Sequence, residues 1–144
     1  MGSPNPGHHA RRIVVADEDR QAVDHIIKTL REEGHIVFHA YDVLAATQLV
    51  NSLKDCDLLL SNTKVTNVDG VDLIVQLRKK HPALPIVYLA NNGRSTPEIE
   101  AQLPPDVPIV REPFTADKLR AVTRRMLDGG QPPKGEFDGQ PMSP

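Results

Sequence analysis

Ile13-Val14-Val15-Ala16 runs straight into Asp17-Glu18-Asp19, after which Ala22, Val23, Ile26, Ile27 and Leu30 recur at helical spacing. A β-branched run of strand length, an acidic break and an amphipathic stretch of period 3.6 make one strand–helix unit. Outward from it the alternation runs through five cycles, the pattern of βαβ units that build a parallel sheet. Gly34 stands where a helix wants a left-handed terminator, and residues 35–40 read as a second, more polar and less buried strand.

Asp42 is placed to cap a second helix through Ala45, Ala46, Leu49, Val50 and Leu53. The run Leu58-Leu59-Leu60 reads as a strand buried on both faces, hence the sheet centre. Residues 67–70 mark a turn before a third helix with Val71, Ile74 and Leu77 inward, and Pro82 and Pro85 punctuate the loop after it. Strand four is Ile86-Val87-Tyr88-Leu89-Ala90, followed by the turn signal Asn91-Asn92-Gly93. Residues 95–103 are only weakly periodic, so helix four is expected to be short or loosely held. Residues 107–110 make strand five, Thr115 caps a last helix with Leu119, Val122 and Met126 inward and Asp117 at its positive end, and Gly129-Gly130 stops it.

The 144 residues suit one domain, expected over residues 11–128, with a flexible leader at 1–10 and a disordered Gly/Pro-rich tail at 129–144 carrying only Phe137 as a large ring. Lys and Arg total 17 against 19 for Asp and Glu, a balance of −2 that offers no broad pull toward nucleic acid or anionic membrane. An aromatic content of 3% argues against a stacking surface for single-stranded nucleic acid. Cys56, beside Asp57 in the loop after helix two, is the sole cysteine, which excludes an internal disulfide and fits a reducing cytoplasm. No apolar run approaches the ~20 residues a membrane span needs, and His8 and His9 in the leader read as inert.

In an open parallel sheet ligands bind outside the carboxyl ends of the strands. The residues to question are therefore Asp17-Glu18-Asp19, Asn62, Ala90-Asn91 and Glu112-Pro113. Their spacing, ending in Glu112-Pro113-Phe114, resembles the receiver domain of bacterial response regulators in two-component phosphorelay signalling, over residues 11–127. The resemblance implies an α/β, flavodoxin-like (βα)5 fold: a doubly wound five-stranded parallel sheet in the order 2-1-3-4-5 with helices on both faces.

Position by position, the resemblance sets Asp17 and Glu18 in the place of the family's acidic pair, with Asp19 as a third acid, and finds Asp69-Gly70 where the family has Asp-Gly. The phosphoacceptor aspartate is replaced by Asn62, the Ser or Thr after strand four by Ala90, and the Lys before the proline by Glu112. Val65-Thr66 stands for Met-Pro, and Ile109 for the aromatic switch. Pro113 is the candidate cis proline that the family commonly carries at this joint.

An amide is not a usable nucleophile for making an acyl phosphate, so Asn62, Ala90 and Glu112 form a degenerate phosphorylation site. Losing a carboxylate should also leave any Mg²⁺ on Asp17 and Glu18 weakly bound. At an effective dielectric of 20, unit charges ~4 Å apart interact by roughly 4 kcal/mol, so Glu112 in place of a cation opposes a bound phosphoryl group. Crowding of Asp17, Glu18 and Glu112 should raise at least one carboxyl pKa.

Plainer readings stand beside these. Asp17 to Asp19 suit capping and dipole roles as well as metal binding, with Asp19 the favoured cap, and Asn62 is either a mimic of a neutral or phosphorylated aspartate or an ordinary loop asparagine. Ser61 and Thr63 are poor kinase targets, since alternation buries at least one of them.

The function expected is a stand-alone, phosphorylation-independent pseudo-receiver: a non-enzymatic module without a cofactor. Its helix four, strand five and helix five would contact a signalling protein, with a homodimer as a second arrangement. Against it stand a receiver phosphorylated on an off-pattern acid (Asp57, Asp69 or Asp19) and a flavin or nucleotide carrier, which the three acids after strand one disfavour.

Overall fold

The computed structural model describes residues 10–129 other than 54, 66, 67 and 92, and the main chain alone at 64, 65, 68 and 69. The expected leader and tail, with His8, His9 and Phe137, lie outside the described residues except for Ala10 and Gly129, as do Thr66, Asn67 and Asn92.

Five strands, β1 (Arg12–Ala16), β2 (Ile36–Ala40), β3 (Cys56–Asn62), β4 (Ile86–Ala90) and β5 (Ile109–Arg111), form one parallel sheet in the order β2-β1-β3-β4-β5. Between them run α1 (Arg20–Glu32), α2 (Val43–Ser52), α3 (Gly70–Lys80), the single turn α4 (Pro97–Glu100) and finally α5 (Ala116–Leu127). The sequence expectation of five strand–helix cycles in this order is met.

Alternation sorts the core into two layers, because successive strand side chains point to opposite faces. Ile13, Val15, Leu58, Leu60, Val87, Leu89 and Val110 pack with Val23, Ile26 and Leu30 of α1 and Leu119, Val122 and Met126 of α5. Val14, Ala16, Leu59, Ile86, Tyr88, Ala90 and Ile109 pack with Ala46 and Val50 of α2 and Val71, Leu73, Ile74 and Leu77 of α3. The central position of β3 and its burial on both faces follow from Leu58, Leu59 and Leu60 being wholly covered. The edge strand β2 is partly exposed, as its polar composition predicts.

The helix ends are chemically explained. Asp42 accepts from the Ala45 N–H and Thr115 from the Lys118 N–H, each a side-chain cap. Gly34 takes φ +90° at the end of α1, where a side chain would be strained. The brevity of α4 matches its weak periodicity, and Thr96 caps it by accepting from the Ile99 N–H.

Four expectations need correction. Cys56 opens β3 rather than sitting in the preceding loop. Residues 35–40 give a strand only from Ile36. Strand five starts at Ile109 rather than Val107: Pro108 has no N–H to donate, and its carbonyl accepts from the Tyr88 N–H. The turn expected at 67–70 is in part a short antiparallel pairing of Lys64–Val65 with Val68–Asp69, which leads into Gly70 at the head of α3.

Gly70 is held there by close packing. Its N–H donates to the Thr63 carbonyl at 2.9 Å, and its own carbonyl accepts from Ser61 Oγ at 3.2 Å. A methyl group on Gly70 would overlap the main-chain carbonyl of Asn62. Relief requires moving backbone, so Gly70→Ala is expected to destabilise the protein by about 3 kcal/mol or more. Urea denaturation followed by circular dichroism checks this, and an unchanged midpoint would show that the end of β3 is not tightly held.

Candidate functional site

All five strands end their carboxyl sides at one rim, and the loops there bring together most of the residues the sequence singled out. Asp17, Glu18, Asp19, Asn62 and Glu112 line a cleft of about 160 Å³ with Asn91 and Arg94. Asp17 leaves β1 with its N–H bonded to the Ala40 carbonyl, and its side chain is 1% exposed. Its Oδ1 accepts from the Asp19 N–H at 2.8 Å, whereas Oδ2 is buried with no hydrogen-bond partner. Asp19 is the N-cap of α1, accepting from the Gln21 and Ala22 N–H groups.

Asn62, 2% exposed, ends β3 with its Nδ2 donating to Glu112 Oε2 at 2.6 Å. Glu112 Oε1 accepts a longer bond of 3.3 Å from Asn91 Nδ2. Thus two amides are turned toward one carboxylate, and Asn62 is tied across the cleft mouth. The Glu112–Pro113 peptide is cis. Ala90 does not line this cleft: its side chain belongs to the apolar layer against α2 and α3, and its carbonyl accepts from the Glu112 N–H.

Burial, more than crowding, controls the charges. The Asp17 carboxyl is pushed up to about 7, first by loss of solvent and only then by Glu112, Asp19 and Glu18, against the lowering hydrogen bond from the Asp19 N–H. Glu112 is also raised, by burial and by Asp19, with the Asn62 hydrogen bond acting the other way. Crowding, the cause expected from the sequence, is thus the smaller one.

The family's divalent metal finds a poor ligand set. Mg²⁺ demands near-octahedral oxygen ligation, and among the described residues no three Asp, Glu, His or Cys side chains converge closely enough to hold a metal ion. Asp17 offers one unpartnered oxygen, but the Asn62 nitrogen is turned toward Glu112.

Of the off-pattern acids, Asp57 is excluded by position. It lies at the opposite end of β3, where its Oδ2 accepts from the Arg12 N–H at 2.8 Å. Five steps of ~3.3 Å separate it from Asn62 along the strand. The Asp69 side chain is outside the described residues. Ser61 and Thr63 are both buried, closing them to a kinase.

Two contributors escaped the sequence reading. Arg94 reaches the cleft from the loop after Gly93, and Thr63 Oγ1 accepts from the Asn91 N–H at 2.8 Å while bonding the Tyr88 hydroxyl at 2.8 Å. The signal for Tyr88 was present: alternation put its ring in the core, where a hydroxyl needs a partner.

Comparison with known proteins gives a consistent answer. The family model described as the response regulator receiver domain matches residues 13–124. The solved receiver domain of NtrX from Brucella abortus is 26% identical, with a TM-score of 0.71, covering 81% of this chain and 98% of that one. Against a longer NtrX structure the identity is 25% and the TM-score 0.72, but the match spans 27% of that chain. A CheY-like receiver domain protein from Methanospirillum hungatei JF-1 shares the fold at TM-score 0.75 and 19% identity, covering 84% of this chain and 96% of that one.

The raised Asp17 gives the protein a pH signature. Between about pH 4 and 7 the folded chain holds a proton that the unfolded chain has released, so stability falls as pH rises through that window and levels off above it. A tenfold change in proton affinity corresponds to about 1.4 kcal/mol, so Asp17→Asn should stabilise the protein by about 2–4 kcal/mol at pH 8 and by little below pH 4. Urea titrations of both proteins across this range test the claim, and a gap that does not change with pH refutes it.

Proposed function

The chain belongs to the response regulator receiver domain family, and we propose that it works there without phosphorylation, as a protein-interaction module rather than a phosphoacceptor or an enzyme. The observation that carries this reading is the 2.6 Å bond from Asn62 to Glu112. At the end of the central strand, where the family's chemistry needs a carboxylate nucleophile, this chain has an amide, and that amide is already engaged. The group engaging it is an anion where a phosphoryl group would need a cation, a reversal worth several kcal/mol at roughly 4 kcal/mol per contact.

The partner face in this reading is α4, β5 and α5. Arg111 of β5 grips Glu100 of α4 through two bonds of 2.9 and 2.7 Å, and this pairing lowers the Glu100 pKa. Ser95 Oγ also donates to Glu100. On α5, however, Arg120 and Arg124 already make contacts within the chain. Arg124 pairs with Glu33 at 2.6 Å, and Arg120 approaches Glu33, Glu32 and Asp117, so this flank fastens α5 to the end of α1. By helical spacing Lys118 lies about 120–160° around α5 from these arginines, so its change to Glu would report on a partner without breaking the α1 contact.

Among the described residues no helix is long and apolar enough to cross a membrane, which suits a module working from the cytoplasm. A flavin or nucleotide carrier has no observation in its favour, since acids line the rim where phosphates would sit.

Incubation with acetyl phosphate and Mg²⁺, followed by intact-mass spectrometry, tests the proposal. The wild type should gain no phosphoryl mass, and Asn62→Asp alone should gain little, because Glu112 still faces the new carboxylate. The double change Asn62→Asp with Glu112→Lys should label more than either single variant. A stoichiometric phosphoryl adduct on the wild type overturns the reading.

A further inference from the structure

We propose that the acidic cleft at the carboxyl rim of the sheet is a docking site for a primary ammonium group, the head of a lysine side chain presented by a partner protein. The inference concerns the cleft itself and does not rest on the reading of the α4–β5–α5 face.

Two independent observations point to a cationic ligand. The first is composition: four carboxylates, Asp17, Glu18, Asp19 and Glu112, line the cleft against a single exposed guanidinium, Arg94, among the described residues. The second is Asp17 Oδ2, a carboxylate oxygen on a side chain 1% exposed, lining the cleft and lacking any hydrogen-bond partner. Once Asp17 is ionised, above about pH 7, an oxygen left unpaired and out of solvent is costly, and a cation arriving with its own donors removes that cost.

The geometry narrows the class of cation. A divalent ion fits less well, since among the described residues no three Asp, Glu, His or Cys side chains converge on one point. Guanidinium prefers to bind both oxygens of a carboxylate, and Asp17 Oδ1 is already held by the Asp19 N–H. An ammonium is a compact charge with three donors and needs only one free carboxylate oxygen with polar neighbours. The cleft also continues into a mostly apolar groove of about 440 Å³, lined by Ala22, His25, Pro113 and Phe114 and sharing Ala22, Asn91 and Glu112 with it. A four-carbon stem lying on Phe114 and Pro113 would set its charged end beside Asp17 and Glu112.

The test uses the whole ¹⁵N-labelled protein at pH 8, where Asp17 is ionised, and at constant ionic strength, titrated with N-acetyl-lysine methylamide. Saturable shifts of the Asn62 and Asn91 side-chain amide signals are expected. The Nε-acetylated form of the same compound should leave them in place. Asp17→Asn, which is expected to fold at least as well as the wild type, should weaken the response about tenfold, equivalent to about 1.4 kcal/mol. Glu112→Gln provides a second variant with reduced charge and should weaken it several-fold. The proposal fails if the acetylated form shifts the same signals, if both variants respond like the wild type, or if MgCl₂ produces equal, Asp17-dependent shifts. Phosphoryl labelling by acetyl phosphate would sink the functional reading above without altering any of these outcomes.

Discussion

Burial of the central strand on both faces is the constraint from which the site descends. Leu58 and Leu60 enter the layer under α1 and α5, while Leu59 enters the layer under α2 and α3. A slip of one residue would exchange these layers, so β3 has one register and its last residue one location. Asn62 is delivered to the rim by that register, and Gly70 closes against its carbonyl because only a residue without a side chain fits there. The carboxyl rim is therefore rigid where it meets β3, whatever occupies it.

Asn62 and Glu112 make sense as a pair. A side-chain amide at the end of β3 presents two donors that must be satisfied once buried, and a carboxylate 2.6 Å away does this with a charge-assisted bond. A cation at position 112 would leave those donors facing a like-signed group, just as a carboxylate at position 62 would face Glu112 as a second anion. Each departure from the family pattern is thus accommodated by the other, and reversing one alone creates a buried mismatch. Asp17 is not part of this settlement: one of its oxygens has no partner, and loss of solvent raises its pKa.

What could be read from the sequence follows the range of the interactions. Strand identity and the inward residues of α1, α3 and α5 depend on local periodicity, sheet order followed from the family resemblance, and the caps Asp19, Asp42 and Thr115 act within three residues of themselves. These were legible. The bond from Asn62 to Glu112 spans 50 positions and depends on how two side chains turn at a shared rim, which spacing does not encode. The pairing of Arg124 with Glu33 across 91 positions is of the same kind, and without it α5 looks like an open basic surface. Ala90 shows another limit: its position at the end of β4 placed it at the rim, but alternation had already assigned its side chain to the core.

Tyr88 shows how the rim and the proposed partner face are held together. Its ring is wholly buried, its hydroxyl donates to Ser95 Oγ at 2.8 Å and meets Thr63 Oγ1 at 2.8 Å, and Thr63 in turn receives the Asn91 N–H. Ser95 donates onward to Glu100, which Arg111 grips from β5. A chain of contacts is not by itself a route for signals, since coupling needs an element with two arrangements that both ends can bias. In this chain the polar groups from Thr63 to Arg111 find partners in one arrangement, and changing it would strand buried hydroxyls at a cost of about 1–3 kcal/mol each. That cost holds α4 and β5 to the buried Tyr88 hydroxyl and so to the end of β3.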